Sequence, residues 1–381
     1  MKRVLTLILV LLILPAAAVA EPLESVLPVE VSAKSAILID AKTGTVIAEK
    51  NADEKREAAS ITKLMTALIC LEAVKSGERN MSDMVMVSKY AAGQEGSEAI
   101  LDAGSEYSFE SLLMSMIMAS ANDSAVALAE NISGSEGAFA DKMNARAAAL
   151  GLSNTRYMNC TGLPMEGHLT TARDIAALAR EVCRHDEYFK YSSVWLSSLA
   201  HPGGRVTDLT NTNRLVRFYD KCDGLKTGST QAAKYCIAAT AQADGMRVIA
   251  VCLSSESGQK RFNEARALLE YALSAYHMAA PIKKNQKLDK EIKVKRGSKD
   301  SVKLMMGGGV SLLEKKGHSS EITMELELET EVKAPVSEGQ ALGIAAVIRD
   351  GEVIARLPVV AAESVSVPDF VSSLVRLLAA W

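Results

Sequence analysis

Two serines in this chain of 381 residues stand three positions before a lysine, a spacing that could provide an activated nucleophile. In Ser60-Ile-Thr-Lys63 the pair opens a helical pattern, and residues three apart share one face of a helix. A serine hydroxyl is a weak nucleophile without an adjacent base, and a lysine acts as that base only if burial or a second cation lowers its pKa. The N-terminus of the helix would add N–H groups that stabilise an oxyanion.

The second match, Ser257-Gly-Gln-Lys260, is predicted to lie in a polar loop that follows a strand. No helix is expected there to bring the lysine towards the hydroxyl. We therefore interpret this match as incidental.

Two other short motifs could bind a substrate. Lys226-Thr227-Gly228 lies on a predicted strand, where an ammonium and a hydroxyl could bind a carboxylate, while Gly228 would let substrate backbone approach closely. A second Lys-Thr-Gly, at 42–44, falls in a predicted hairpin loop. Ser120-Ala-Asn122 interrupts a helical pattern, and on its own it is most simply interpreted as a helix-capping turn.

The ordered set Ser60-x-x-Lys63, Ser120-x-Asn122, Lys226-Thr-Gly228 is far more specific than its parts. With it, the chain resembles the low-molecular-mass penicillin-binding proteins, specifically serine-type D-alanyl-D-alanine carboxypeptidases with a β-rich C-terminal domain and an amphipathic tail. Other phrases extend the resemblance over nearly the whole chain: Asp40-Ala-Lys-Thr-Gly, Ala59-Ser-Ile-Thr-Lys-Leu-Met-Thr-Ala-Leu, Ala119-Ser-Ala-Asn-Asp-Ser-Ala, Thr171-Ala-Arg-Asp and Asp223-Gly-Leu-Lys-Thr-Gly-Ser-Thr. Ala58 departs from relatives that often carry proline at this position.

The resemblance implies a role for each catalytic residue. Ser60 would attack the penultimate D-alanine carbonyl and form an acyl-enzyme, with Lys63 as its general base. Ser120 would relay a proton to the leaving D-alanine nitrogen, and Asn122 would hold the substrate amide and Lys63. Lys226 would depress the pKa of Lys63 through its positive potential.

The resemblance also implies how the substrate is held. Thr227 would bind its terminal carboxylate, and the backbone N–H groups of Ser60 and Ser229 would form the oxyanion hole. Arg261 matches an arginine that lies near this carboxylate in relatives. The alternative for Arg261 is a solvated charge at the start of a helix.

The implied activity is removal of the terminal D-alanine from peptidoglycan pentapeptide stems, with acylation by β-lactam antibiotics and no cofactor or metal. An endopeptidase that cleaves crosslinks, or a transpeptidase, would use the same residues. A non-catalytic peptidoglycan-binding protein would keep the fold. A β-lactamase is disfavoured because no Glu-x-x-x-Asn segment lies between Asn122 and Lys226.

The pattern along the chain predicts how these residues are positioned. A hairpin at 35–50 precedes a strongly amphipathic helix from Ser60, and a mainly helical stretch then runs to about residue 190. Strands return at 225–230, 235–241 and 246–253, and a helix follows over 261–278. This order favours an α+β fold, an antiparallel sheet packed by helices with a helical insertion of the β-lactamase/transpeptidase type, followed by a small all-β domain. Thr171-Ala-Arg-Asp174 is typical of a helix capping box.

We expect five segments. They are a signal peptide at 1–20, a leader at 21–34, the penicillin-binding serine carboxypeptidase domain at 35–280, a β-sandwich-like domain at 281–366 and an amphipathic helix at 367–381. In the β domain, alternation over 321–332 predicts one antiparallel strand, and Asp350-Gly351 predicts a hairpin turn.

The two ends of the chain predict its location. A basic start, an apolar run over 4–14 and Ala18-Val-Ala20 are typical of a secretory signal peptide, and the run is too short for a membrane anchor. The tail Pro368–Trp381 is suited to lying in a membrane interface, although it could instead cap the β domain. We therefore expect an exported protein on the outer face of the cytoplasmic membrane.

Composition excludes other classes of function. A net charge of −3 and 4% aromatic residues argue against binding to nucleic acid. The six cysteines form no metal-binding pattern. We expect mostly free thiols, with Cys222–Cys236 as the one disulfide to consider, and we interpret the five histidines as structural or exposed.

Overall fold

The computed structural model describes residues 22–368. The predicted signal peptide lies outside these residues, as does nearly all of the predicted C-terminal helix. By internal contacts the described chain divides into two compact units, one that runs to Ala241 and includes Ile249–Leu269, and one made of Gln242–Val248 and the chain from Glu270 onward. The boundaries of the five segments stay predictions. Within the described range, no helix is both long and apolar enough to cross a membrane.

The first unit is built on a five-stranded sheet in the order β2-β1-β9-β8-β7. Its strands, with two short hairpins, are β1 Ser35–Asp40, β2 Val46–Lys50, β3 Met84–Met86, β4 Glu106–Ser108, β5 Leu196–Ala200, β6 Val206–Thr210, β7 Cys222–Thr230, β8 Lys234–Ala243 and β9 Met246–Ser255. Strands from both ends of this stretch of chain thus share one sheet, and the helices lie between them in sequence. The expected α+β fold with a helical insertion is confirmed.

A 3₁₀ turn and nine helices accompany this sheet in the described chain. They are the turn Ala59–Thr62, α1 Lys63–Lys75, α2 Lys89–Ala92, α3 Phe109–Met118, α4 Asn122–Ser133, α5 Glu136–Ala149, α6 Ala172–Val182, α7 Asp186–Ser192, α8 Leu215–Phe218 and α9 Gly258–Ala275. The predicted N-cap of α6 is confirmed, because the Thr171 hydroxyl accepts a hydrogen bond of 3.1 Å from the backbone N–H of Asp174. The Asp174 carboxylate accepts from Asn154 and Thr155, so the hydrogen bond shown is the first half of a capping box.

Helix α1 differs from the prediction of a strongly amphipathic helix. Ten of its thirteen residues are buried, and α3, α4, α5 and α6 all pack against it. Its polar members Lys63 and Thr66 are buried with the rest. A helix enclosed on all sides places whatever polar group it carries in surroundings of low dielectric, where an unpaired charge is costly.

The second Ser-x-x-Lys match also differs from the prediction, because it lies at a helix start and not in a plain loop. The Ser257 hydroxyl caps α9 by accepting a hydrogen bond of 3.1 Å from the backbone N–H of Lys260. The Lys260 ammonium is paired with Glu256 instead of the serine. Ser257 is therefore a capping residue.

The six cysteines are free thiols. Across β7 and β8, Cys222 lies opposite Ala241, whereas Cys236 lies opposite Gly228. The Cys222–Cys236 disulfide therefore does not form, because the register separates the two residues along the sheet.

The described part of the chain after α9 is all β, as predicted. Its strands are β10 Tyr276–Ile282, β11 Lys287–Lys295, β12 Ser301–Met306, β13 Val310–Lys315, β14 Ile322–Leu328, β15 Glu331–Lys333, β16 Ala341–Arg349 and β17 Glu352–Ala361. They form a pair β10-β13 and a sheet β14-β16-β17-β12-β11-β15 around a shared apolar core. Asp350 and Gly351 turn β16 into β17 with positive φ, which confirms the predicted hairpin.

The predicted single strand over 321–332 is wrong. It is two strands, of which β14 pairs antiparallel with β16 and β15 pairs parallel with β11. The alternation of apolar and polar residues is the same in both pieces, so periodicity alone does not reveal the break.

Candidate active site

Ser60 lies in the 3₁₀ turn that leads directly into α1, so the α-helix begins at Lys63 and not at the predicted Ser60. Strand β7 runs close beside this turn. A Cβ atom on Gly228 would lie 2.5 Å from the Ala58 carbonyl oxygen and 2.9 Å from the Ser60 nitrogen. Glycine at 228 therefore lets β7 approach the turn that carries Ser60. The sequence predicts a different reason for this glycine, namely the close approach of substrate backbone.

Lys63 is the centre of the site. Its ammonium nitrogen lies 3.2 Å from Ser60 Oγ, 2.6 Å from Asn122 Oδ1 and 2.7 Å from the Thr161 carbonyl oxygen. The side chain is 1% exposed. Burial lowers the Lys63 pKa to about 7, against the opposing negative fields of Cys160, Asp123 and Glu136. A lysine with this pKa is partly neutral near pH 7, and its free electron pair can then accept the Ser60 proton.

Lys226 is also buried, and its ammonium donates to the Thr227 carbonyl oxygen at 3.1 Å. Burial lowers the pKa of Lys226 well below its ordinary value, and the charges of Lys63 and Arg261 lower it further. The prediction that the Lys226 charge depresses the Lys63 pKa is therefore corrected. The main cause of the low Lys63 pKa is burial. The two amines nevertheless lie close enough to repel one another as cations.

Asn122 joins the site through its hydrogen bond with Lys63, and Ser120 lies two residues before it. Ser120 has a left-handed backbone, φ 66°, which is uncommon for a residue with a side chain, and within the described residues its buried hydroxyl has no hydrogen-bond partner. Asn122 is the first residue of α4, and its amide nitrogen donates to the Glu95 carbonyl oxygen at 2.6 Å. The capping interpretation fails because Ala121 caps α4 without a side-chain bond.

Arg261 and Thr227 lie along the other side of the site, on or beside β7. The Thr227 hydroxyl donates to Thr212 Oγ1 at 2.8 Å. The Arg261 guanidinium donates to the Gly228 carbonyl oxygen at 3.0 Å and stacks 4.7 Å from the ring centre of Phe262. Arg261 is thus a half-buried group next to the Lys-Thr-Gly strand and not a solvated charge. Ser229, the next residue on β7, is exposed.

Several residues that shape the site were missed by sequence reasoning. Thr161 contributes a backbone carbonyl, a group that every residue carries and that leaves no signature in the sequence. Asp123 accepts hydrogen bonds from the backbone N–H groups of Ala99 and Leu101, and so holds the segment that contacts Asn122. Asp123 belongs to the Ser-Ala-Asn-Asp motif, but its hydrogen-bond partners lie more than twenty residues away in the sequence.

One potential metal-binding group lies in the described part of the chain, namely Glu72, Glu181 and His185. The Arg146 guanidinium approaches both of its carboxylates, at 2.6 Å from Glu72 and 3.4 Å from Glu181. Since that cation already balances the acids, the group offers little to a metal ion. The nucleophile, base and cations of the site are all supplied by side chains of this chain.

Comparison with known proteins identifies two families that match most of the chain. Residues 19–257 match the family described as D-alanyl-D-alanine carboxypeptidase, and residues 276–367 match the C-terminal domain of penicillin-binding protein 5. The chain is 39% identical to the D-alanyl-D-alanine carboxypeptidase DacF of Bacillus subtilis over 92% of this chain and 90% of that one. It is 33% identical to DacC of Escherichia coli over 88% and 84% of the two chains. The crystal structure of penicillin-binding protein 5 from Haemophilus influenzae superposes with a TM-score of 0.74 at 29% identity, covering 89% of this chain and 99% of that one.

Proposed function

The chain belongs to the D-alanyl-D-alanine carboxypeptidase family, and from that membership we propose that Ser60 is the nucleophile that removes the terminal D-alanine of peptidoglycan pentapeptide stems. The observation that carries this assignment is the Ser60–Lys63 pair, 3.2 Å apart, with the Lys63 pKa lowered to about 7 by burial. A hydroxyl next to a partly neutral amine is an activated nucleophile.

Acylation begins when the neutral Lys63 amine takes the Ser60 proton and Oγ bonds to the carbonyl carbon of the penultimate D-alanine. The negative charge then develops on the carbonyl oxygen, where the backbone N–H groups of Ser60 and Ser229 stabilise it. The proximity of β7 to the Ser60 turn at Gly228 supports this pairing of N–H groups.

Collapse of the tetrahedral intermediate breaks the peptide bond. The proton gained by Lys63 passes through Ser120 to the leaving D-alanine nitrogen, and the stem remains as an ester on Ser60. The buried Ser120 hydroxyl is not engaged by another protein group among the described residues, which suits a relay that bonds to substrate. Water then hydrolyses the ester with Lys63 again acting as base.

Recognition of the substrate's terminal carboxylate falls to Thr227, with Arg261 supplying positive charge. Lys226 donates to the Thr227 carbonyl oxygen, and the Arg261 guanidinium donates to the carbonyl oxygen of Gly228, the next residue on β7. A β-lactam places its own carboxylate in the same position. Penicillins therefore acylate the same serine. Because the broken amide of a β-lactam stays tethered, its amine cannot diffuse away as D-alanine does.

Export and membrane attachment complete the proposal. The signal peptide at 1–20 would direct the chain out of the cytoplasm, and the helix at 367–381 would hold it on the outer face of the membrane. The composition of these two segments supports this placement. Deleting 368–381 should move the protein from the membrane fraction to the soluble fraction. Unchanged partitioning would assign the tail to the β domain.

The test of the activity is D-alanine release from a peptide that ends in D-Ala-D-Ala. We expect release by the wild type, at least a thousandfold slower release by Ser60→Ala, and wild-type release by the matched control Ser257→Ala. Full activity in Ser60→Ala would refute the nucleophile. If crosslinked dimers were cleaved while the pentapeptide stayed intact, the endopeptidase alternative would replace the carboxypeptidase.

A further inference from the structure

We propose that His168 is a positioning residue for acylation, because it holds Thr62 and thereby the turn that places Ser60 against Lys63. This inference rests on the proposed function of Ser60. The sequence interpretation gave His168 no part in the chemistry. Nothing in the spacing of the motifs points to it, since 106 residues separate it from Thr62.

The contact between the two side chains is direct. His168 Nε2 lies 2.9 Å from Thr62 Oγ1, and both residues are buried, at 6% and 4% exposure. Thr62 stands between Ser60 and Lys63 in sequence and is the last residue of the 3₁₀ turn. A hydrogen bond to Thr62 therefore fixes the segment that joins the nucleophile to its base.

A second hydrogen bond sets the direction of the first. The backbone N–H of Met158 donates to His168 Nδ1 at 3.3 Å, so Nδ1 is the acceptor of a neutral ring. Nε2 must then carry the proton and donate it to Thr62 Oγ1. The Tyr157 ring and the imidazole pack in a T-shaped arrangement, with ring centres 5.8 Å apart. Burial lowers the His168 pKa to about 4, which keeps this neutral tautomer in place at physiological pH.

The segment 157–168 touches the nucleophile turn at two further points. The Thr161 carbonyl oxygen accepts from Lys63, and Gly162 lies so close to the turn that a Cβ atom there would be 2.0 Å from the Ala59 carbonyl oxygen. Those two contacts come from the backbone, whereas His168 contributes a side chain. Because a misplacement of about 1 Å can slow an enzymatic step about a hundredfold, the anchoring of this segment bears on the rate.

Two substitutions of His168 distinguish its hydrogen bond with Thr62 from its hydrogen bond with Met158. In His168→Gln the amide nitrogen can occupy the place of Nε2 and donate to Thr62. In His168→Asn the shorter side chain can still accept from Met158 but does not reach Thr62. We expect His168→Asn to lower kcat for D-alanine release and the rate of acylation by penicillin about tenfold each, because loss of one hydrogen bond has about this effect on a rate. KM should stay within about twofold of the wild-type value. His168→Gln should stay within about threefold of the wild type.

Thr62→Val removes the other partner of the same bond while keeping the side-chain shape. We expect it to slow acylation about as much as His168→Asn, and the double variant to be no slower than either single one. Additive losses in the double variant would overturn the coupling through Thr62. Wild-type kcat in His168→Asn, with only a lowered melting temperature, would leave His168 a purely structural residue.

Failure of this inference is distinguishable from failure of the proposed function. If Ser60→Ala retained full activity, the nucleophile assignment would fall, whatever the His168 variants did. If Ser60→Ala were inactive while His168→Asn and Thr62→Val acylated at the wild-type rate, the positioning role alone would fall. Thr62→Val also keeps the test open if His168→Asn does not fold.

Discussion

The rate of acylation by a penicillin should depend on pH through Lys63. Burial lowers the pKa of this lysine from the ordinary value of 10.5 to about 7. At pH 7 about half of the Lys63 side chains are then neutral, against roughly three in ten thousand for an exposed lysine. Burial thus increases the population of the free base by about a thousandfold.

The sign of the dependence follows from the role of the amine. Below the Lys63 pKa the amine is protonated and cannot accept the Ser60 proton, so the acylation rate should fall about tenfold per pH unit under pH 6. Above pH 8 it should reach a plateau. The assay is the second-order rate of acylation by a fluorescent penicillin from pH 5 to 9, with a midpoint expected near 7.

A single substitution moves this midpoint in a defined direction. The carboxylate of Glu136 raises the Lys63 pKa, so Glu136→Gln should lower the pKa and shift the midpoint to lower pH. Glu136 accepts hydrogen bonds from the Cys160 backbone N–H at Oε1 and from the Tyr90 hydroxyl at Oε2. In Glu136→Gln the amide oxygen can keep the bond from Cys160 while the amide nitrogen donates to the Tyr90 hydroxyl, which makes the amide a conservative change. A flat profile, or a midpoint that rises in Glu136→Gln, would refute Lys63 as the base.

Two other predictions concern stability and recognition. Gly162→Ala should destabilise the fold by roughly 2 kcal/mol or more and abolish acylation, because its Cβ would lie 2.0 Å from the Ala59 carbonyl oxygen. Gly77→Ala has a similar φ of 78° but open space around its Cβ, so urea titration should show only the backbone cost of about 1 kcal/mol. Equal losses in the two variants would contradict the steric argument. Arg261→Gln should raise KM for the D-Ala-D-Ala peptide about tenfold with little change in kcat, measured by D-alanine release; an unchanged KM would remove Arg261 from carboxylate binding.

The sequence was a good guide where a local signal is also the physical cause. The hairpin of β1 and β2 follows from two strand-like runs around a short glycine-containing loop, and the start of α6 follows from the Thr171 hydroxyl and a nearby N–H group. The pairing of Ser60 with Lys63 is equally local, since one turn of helix sets the distance.

Features that depend on distant partners were not predictable. The Thr161 carbonyl and the His168 ring reach Lys63 and Thr62 from about a hundred residues away, and neither carries a motif. The same holds for α1, whose polar positions suggest an exposed face until the surrounding helices are known. In the β domain, β14 and β15 share one alternation but have different partners, which only the tertiary pairing reveals.

The most direct test of the central claim is to locate the penicillin adduct by mass spectrometry after proteolysis. We expect one adduct on the peptide that contains Ser60 in the wild type, none in Ser60→Ala, and an unchanged adduct in Ser257→Ala. An adduct on Ser120 or Ser257, or any stable labelling of Ser60→Ala, would contradict that claim.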